Sequence, residues 1–266
     1  MTAAPVSGEP ARPATSGKGT RSGVVAILAA LPEELSAIRG RLDRIEIRRV
    51  GTVKATSGVL ANRPVVLAVT ADGAGRAARR AAAMFDQMAP ARLVIVGVAG
   101  GLSPGLHPGD LVVARRVVDL GDASPVPQPD PDWLERALAS GATAAVMVSS
   151  PRILVRAEEK ALTYASLRTS APAAADLETA ALAREAGRRG IPYLVLRAIS
   201  DPAEETLPMD FERLRDGEGG VSRSRVLLHA LARPSLIRSL VMLSKRVSTC
   251  AERLAVALPA IVGASA

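Results

Sequence analysis

Asp176, Glu178 and Asp201 are the side chains in this 266-residue sequence whose types and spacing could do chemistry together. Asp176 and Glu178 precede a run of good helix formers, Ala180 to Arg189, which should end at Gly190 with Pro192 just beyond, the usual stop chemistry of a helix. Tyr193 to Ile199 then reads as a buried strand. It delivers Ser200 and Asp201 to the strand's carboxyl end, where Pro202 turns the chain and where open α/β sheets place their ligands. An acid that begins a helix is stabilised by the helix dipole and can accept hydrogen bonds from hydroxyl groups. A carboxyl held at a strand end can protonate a leaving group, a lever worth about 10² to 10⁴ in rate. Taken alone, an Asp after a buried strand is more often a turn or cap residue.

The elements that must position these acids are those of one α/β domain. Hydrophobic residues make up 48% of the chain and aromatics only 2%, so a large core has to be built from Ala, Val, Leu and Ile. A lone cysteine, Cys250, excludes an intramolecular disulfide and points to a reducing, cytoplasmic setting; His107 and His229 are too far apart to suggest a metal site. No apolar run reaches the length of a membrane span, about 18 residues or more. Residues 1–23 are rich in Pro, Gly, Ser, Thr and Ala without the apolar core of a signal peptide, and read as a disordered arm. The formal charge of +8 resides at the two ends, in Arg12, Lys18 and Arg21 against Glu9, and in Arg223, Arg225, Arg233, Arg238, Lys245, Arg246 and Arg253 against Glu252. The neutral body gives no footprint for nucleic acid.

In chain order, Val24 to Ala30 reads as the first buried strand, with a helix starting near Pro32 and carrying Glu33 and Glu34 in its first turn. Residues 45–70 look like strands joined at Ala61-Asn62-Arg63-Pro64. TADGAGRAARRAAAMF is a glycine-rich turn leading into an Ala-rich helix. Gly73, Gly75 and Ala78 satisfy a dinucleotide fingerprint, but the next strand, Leu93 to Val98, ends in Ala99-Gly100-Gly101 with no acid for a ribose, so a dinucleotide is not expected. Gly97, Gly100 and Gly101 let the backbone pass close to a ligand, and Gly109-Asp110 turns the chain into the strand Leu111 to Val118. A Pro- and Asp-rich loop follows, then a helix over Trp133 to Ser140 and a strand over Thr143 to Ser149. Near the end, Leu236, Leu240, Leu243, Val247, Leu254 and Leu258 fall on one helical face with Arg238, Lys245, Thr249 and Glu252 opposite. That segment reads equally as a helix docked on the body or on another subunit and as a basic membrane-surface helix.

The string AADLETAALA…IPYLVLRAISD resembles the paired segments E-M-E-A-x-A and R-x-I-S-D of the purine nucleoside phosphorylase and methylthioadenosine/S-adenosylhomocysteine nucleosidase superfamily. VAILAALPEEL resembles the nucleosidase opening I-G-I-I-G-A-M-E-E-E, TADGAGRAA the segment S-G-I-G-K-x-A-A, and RLVIVGVAGGLSPGLHPGDLVVA the segment I-x-x-G-S-A-G-G-L-x-P-x-L-x-x-G-D-I-V-V. The resemblance implies a nucleoside phosphorylase fold over residues 24–215, a central mixed twisted sheet flanked by helices, with a basic helical tail over 220–258.

It also implies roles. Asp201 would protonate the leaving purine at its imidazole-side nitrogen, Glu178 would hold the ribose diol, and Glu34 would position the attacking water. Leu177, Ile153 and Ser200 would line the substrate, and Gly73, Gly75, Arg76 and Gly100 would lie on the acceptor side. An acid at position 201, not an amide, resembles the members that handle 6-aminopurines, so adenine is the expected base. There are departures: Val98 stands where the family has a hydroxyl residue, and SSPRIL replaces S-G-D-x-F, removing the aromatic that stacks on the base. After Asp201, D-P-A-x-x-x-L-P-x-x-F and the basic tail with A-R-P resemble the hopanoid-associated phosphorylases. That branch implies phosphorolysis of adenosylhopane with phosphate as co-substrate and no cofactor, at the inner face of the membrane. A hydrolytic nucleosidase acting on methylthioadenosine or S-adenosylhomocysteine is the alternative, and a non-catalytic adenosine-binding module a third; a homo-oligomer is expected.

Overall fold

The computed structural model describes residues 22–210 and 235–263. The arm expected over 1–23 and the first part of the tail lie almost wholly outside the described residues. Among the described residues nine strands form one mixed sheet: β1 (Ser22–Ala29), β2 (Asp43–Val50), β3 (Val53–Leu60), β4 (Arg63–Val69), β5 (Pro90–Gly101), β6 (Leu111–Asp119), β7 (Thr143–Ser149), β8 (Ala173–Asp176) and β9 (Tyr193–Asp201). Their spatial order is β2-β3-β4-β1-β5-β8-β7-β6-β9, and β9 also pairs in parallel with β5. The strands β5, β8, β7, β6 and β9 therefore close on themselves, while β2, β3, β4 and β1 extend the sheet from β5. The helices are α1 (Pro32–Arg39), α2 (Ala74–Phe85), α3 (Pro131–Ala139), α4 (Ala157–Ser166), α5 (Thr179–Arg188) and α6 (Ser235–Val262).

Strand periodicity divides the core into two layers. Along β5, Leu93 and Ile95 join the cluster beneath α2 and α5, whereas Val94 and Val96 join the cluster beneath α1, α3 and α6. Along β9, Tyr193, Val195 and Ile199 face the first cluster, and Leu194, Leu196 and Ala198 the second. All nine residues of β9 are buried. Arg197 sits in register with the first set, so a guanidinium enters a layer that is otherwise apolar and has to find partners there.

The tail helix belongs partly to this core. Cys250, Leu254, Leu258, Ile261 and Val262 are buried in the second cluster, and α6 packs on α1, α3, β5 and β9. At its end Arg136 Nη1 donates to the Gly263 carbonyl at 2.9 Å. The earlier turns are different: Leu236, Leu240, Leu243 and Val247 are half-buried, and Ile237, Val241 and Met242 are exposed. Docking on the body thus accounts for the second half of the helix, with the first half carrying apolar side chains into solvent. No described helix is long and apolar enough to cross a membrane.

Candidate active site

A cavity of about 330 Å³ opens where the carboxyl ends of β5, β8 and β9 meet α1, α4 and α6. Glu34, Gly100, Ile153, Leu177, Glu178, Ser200 and Asp201, all expected from the sequence, line it. So do Asp176, singled out in the sequence beside Glu178, and Asp72, Lys160, Arg197, Leu243 and Val247, to which sequence reasoning gave no role in a site.

Glu34 is buried in the first turn of α1, where Pro32 starts the helix. Its Oε2 accepts from Leu31 N–H at 2.8 Å and its Oε1 from Val98 N–H at 2.9 Å. The backbone of Val98 thereby engages this acid although its side chain has no hydroxyl. Burial raises the Glu34 carboxyl above its ordinary range, with the Arg197 charge and the Val98 and Leu31 N–H groups opposing. Gly97 beside it has φ +144°, and a Cβ there would come within 2.3 Å of Arg197 Nη1 and 2.5 Å of Glu34 Oε1. Only glycine lets these two side chains approach the strand.

Glu178 is the N-cap of α5, yet its side chain does not cap the helix. It reaches across to the turn before α2, where Gly73 N–H donates to Oε1 at 2.7 Å. Burial, then the charge of Asp176, pushes its carboxyl up to about 8, against the pull of Arg197. Asp176, expected to open the helix, instead ends β8. It pairs with Arg197 Nη2 and with the Thr179 hydroxyl, and its Oδ1 accepts from the Ser149 hydroxyl at 3.0 Å. Arg197 is 2% exposed and also donates from Nη1 to the Val96 carbonyl at 2.9 Å and from Nη2 to the Thr179 hydroxyl at 3.0 Å. Both terminal nitrogens are thus committed to the protein while Nε is buried without a hydrogen-bond partner, and the guanidinium holds Asp176, Glu178 and Glu34 together by charge.

Asp201 stands opposite this group. Ser200 and Asp201 are the last residues of β9, directly before the turn at Pro202, and Asp201 registers with Gly100. The Ser200 hydroxyl donates to Asp201 Oδ1 at 2.6 Å, while Oδ2 accepts from the Lys160 ammonium of α4. Gly100 brings the β5 backbone so close that an added Cβ would lie 3.1 Å from Asp201 Oδ2.

Three residues expected on the acceptor side do not line this cavity: Gly73 serves it only through its N–H bond to Glu178, and Gly75 and Arg76 lie away from it. Gly75 lines a neighbouring depression with Asp119, Arg184 and Arg188, and Arg76 lines neither. The reason is helical geometry: α2 starts at Ala74, and its first turn carries these residues away from the face that Gly73 turns toward Glu178. Among the cations at the cavity, Arg152 pairs with Glu159 at 3.0 Å, Lys160 with Asp201 and Arg197 with Asp176. No group of His, Cys, Asp and Glu suited to a metal ion occurs among the described residues.

The fold and this constellation of acids define a nucleoside-cleaving type of site, and comparison with known proteins gives the family. Residues 24–232 match the model of the phosphorylase superfamily, and the chain belongs to that family. It is an N-glycosyl bond-cleaving enzyme. It is 30% identical over 246 residues to a 5′-methylthioadenosine/S-adenosylhomocysteine nucleosidase of Mycobacterium bovis, covering 78% of this chain and 96% of the relative. To the nucleosidase of that name in Listeria monocytogenes it is 27% identical over 214 residues, 71% of this chain and 90% of the relative. Among solved structures, the nucleosidase of Neisseria meningitidis in complex with methylthio-immucillin-A superposes with a TM-score of 0.70 at 21% identity, covering 91% of this chain and 99% of that one. The futalosine hydrolase of Helicobacter pylori gives 0.68 at 20% identity, covering 90% and 97%.

Proposed function

We propose that this enzyme cleaves the N-glycosidic bond of a 5′-substituted adenosine and releases adenine, with water as the acceptor. The observation that carries the reading is the convergence of Glu34, Glu178 and Asp201 on one cavity from three separate parts of the chain. Breaking the C1′–N9 bond leaves its electron pair on the purine and positive charge on the sugar. Asp201 donates a proton to the purine's imidazole-side nitrogen and so stabilises the departing base. Glu178, its carboxyl pushed up to about 8, binds the ribose hydroxyls, each such bond being worth about 0.5 to 1.5 kcal/mol. Glu34 takes a proton from water as the water oxygen bonds to C1′.

Water is favoured over the phosphate expected from the sequence because of charge. A phosphate beside Glu34 and Glu178 would need cations, and those at the cavity are already paired, while Arg76 is not among its lining residues. The base slot is lined by Ile153, Leu154, Leu177 and Ala99, an aliphatic surface that accepts a flat ring without an aromatic partner. The curated nucleosidase relatives support adenine as the base.

A second reading concerns the 5′ group. Leu207, Leu243 and Val247 line the cavity, and the exposed Ile237, Val241 and Met242 lie in the preceding turns of the same helix. This apolar route supports an apolar 5′ substituent, in keeping with the hopanoid-linked nucleoside and the membrane-surface role that the resemblance implies. One assay tests both readings: adenine release from adenosines bearing 5′-hydroxyl, 5′-homocysteinyl and 5′-alkylthio groups of increasing length. Release is expected, with kcat/KM rising with alkyl length. No release from any member would overturn the function, and a preference for homocysteinyl would overturn the apolar 5′ group alone.

A further inference from the structure

Lys160 is 1% exposed, one of the largest fully buried side chains in the protein, and neither the cleavage chemistry nor the sequence patterns assign it a task. It lies on α4 and lines the cavity. Its ammonium meets three acceptors: Asp201 Oδ2, the Pro202 carbonyl at 2.9 Å and the Glu205 carbonyl at 2.9 Å. An ammonium has three hydrogens and no lone pair, so this set satisfies it fully in the charged form. Giving up a proton would leave one of the oxygens facing a lone pair.

A structural brace is the simpler use of such a residue, but the brace is already there. Ala157 N–H donates to the Thr206 hydroxyl at 3.2 Å and Leu207 N–H to the Val155 carbonyl at 2.9 Å, tying α4 and its approach to the segment after β9 without any charge. Burying an ammonium is costly, and a neutral side chain of similar length would pack in its place. Of the three acceptors that the ammonium meets, only Asp201 is an anion, so it is there that the charge adds most.

We propose that Lys160 is a positioning residue for proton transfer to the leaving base: it fixes Asp201 and neutralises the carboxylate that remains once the proton has gone. The proposal rests on the reading of Asp201 as the acid. Asp201, a carboxylate paired with Lys160 in the resting enzyme, takes up a proton from solvent as the nucleoside binds; in the step that O–H bond breaks, an N–H bond forms on the purine, and the C1′–N9 electron pair passes to the base, while Lys160 keeps its protons throughout. With the Ser200 hydroxyl on Oδ1 and Lys160 on Oδ2, both oxygens of the carboxylate are held as its charge develops.

The test compares Lys160→Met with the parent on two substrates of the same sugar. One is a 5′-substituted adenosine; the other is the 4-nitrophenyl β-D-ribofuranoside bearing the same 5′ substituent, whose leaving group departs as a stable anion without a proton. The variant should lose roughly 10- to 100-fold in kcat on the adenosine with KM within a few-fold, and stay within a few-fold of the parent on the nitrophenyl riboside. Lys160→Arg, which keeps the charge, should recover much of the adenosine activity. Equal losses on both substrates would make Lys160 a brace and overturn the proposal, as would undiminished adenine release. If Lys160→Met does not fold, Lys160→Gln carries the same comparison. Asp201→Asn on the same pair separates the two readings: absence of a selective loss there would remove Asp201 as the acid, whatever Lys160 does.

Discussion

The two walls of the cavity are charged on opposite plans. At the sugar side, Glu34, Asp176 and Glu178 share the single guanidinium of Arg197, so acids outnumber cations and burial raises Glu34 and Glu178 toward their protonated forms. At the base side, Asp201 is matched by the Lys160 ammonium. The difference follows the reaction. Positive charge develops on the sugar, where a surplus of acids stabilises it, and the carboxylate left by proton donation appears where a cation is already waiting.

The largest effect should come from breaking the base side. Asp201→Asn keeps the shape but cannot donate a proton, and adenine release per folded enzyme should fall by at least about 10². Because the substitution also leaves the Lys160 charge buried without its counter-charge, the variant should melt at lower temperature than the parent, and adding Lys160→Met should restore part of that loss. Steady-state rates and thermal melts of the single and double variants check both statements. Activity within a few-fold of the parent would remove the asymmetry altogether.

A smaller effect is expected at the sugar side and is read through pH. Glu178 is raised from 4.5 to about 8 in the folded protein. The folded state therefore keeps a proton that the unfolded chain releases above about 4.5, so the stability linked to this group is fully present at lower pH and is lost as pH rises toward about 8. Glu178→Gln removes the titration. The gap in Tm between this variant and the parent should widen by a few degrees, in the variant's favour, as pH is raised across that window, on the scale of about 2 to 4 °C per kcal/mol. A gap that does not change with pH would mean that Glu178 does not keep its proton in the folded protein across this window.

Much of this architecture was legible in the residue pattern because both β5 and β9 are long apolar runs with glycines or an acid at their ends. Strands are buried on both faces there, and continuous hydrophobicity is what such burial demands. Glu34, Glu178 and Asp201 were legible because each belongs to a segment whose order and spacing match a family. The pairing of Asp176 and any part for Lys160 were not. The strand β8 is four residues, AAAD, too short to show a period. Helix α4, AEEKALTYAS, has its charges where a solvated face would carry them, and only the tertiary pairing with Asp201 buries Lys160. Arg197 lay inside the quoted motif, but nothing local says that its partner is an Asp twenty-one residues earlier in the chain. Gly75 and Arg76 misled for the opposite reason: the glycine-rich turn does serve the site, through the Gly73 N–H, while the helix that follows carries its next residues away. The tail was half legible, its apolar face correctly composed of Leu243, Val247, Leu254 and Leu258, but the division between a docked half and an exposed half depends on where α1 and α3 end beneath it.

The acceptor is where the charge plan makes its most direct demand. An acid-lined sugar side with no spare cation takes a neutral nucleophile, so a reaction run in ¹⁸O-labelled water with saturating phosphate should place the label on C1 of the released sugar at a rate independent of phosphate. Mass spectrometry of the products reads this in one experiment. Free sugar carrying one ¹⁸O is the predicted result, and a sugar 1-phosphate without label at C1 would contradict the account.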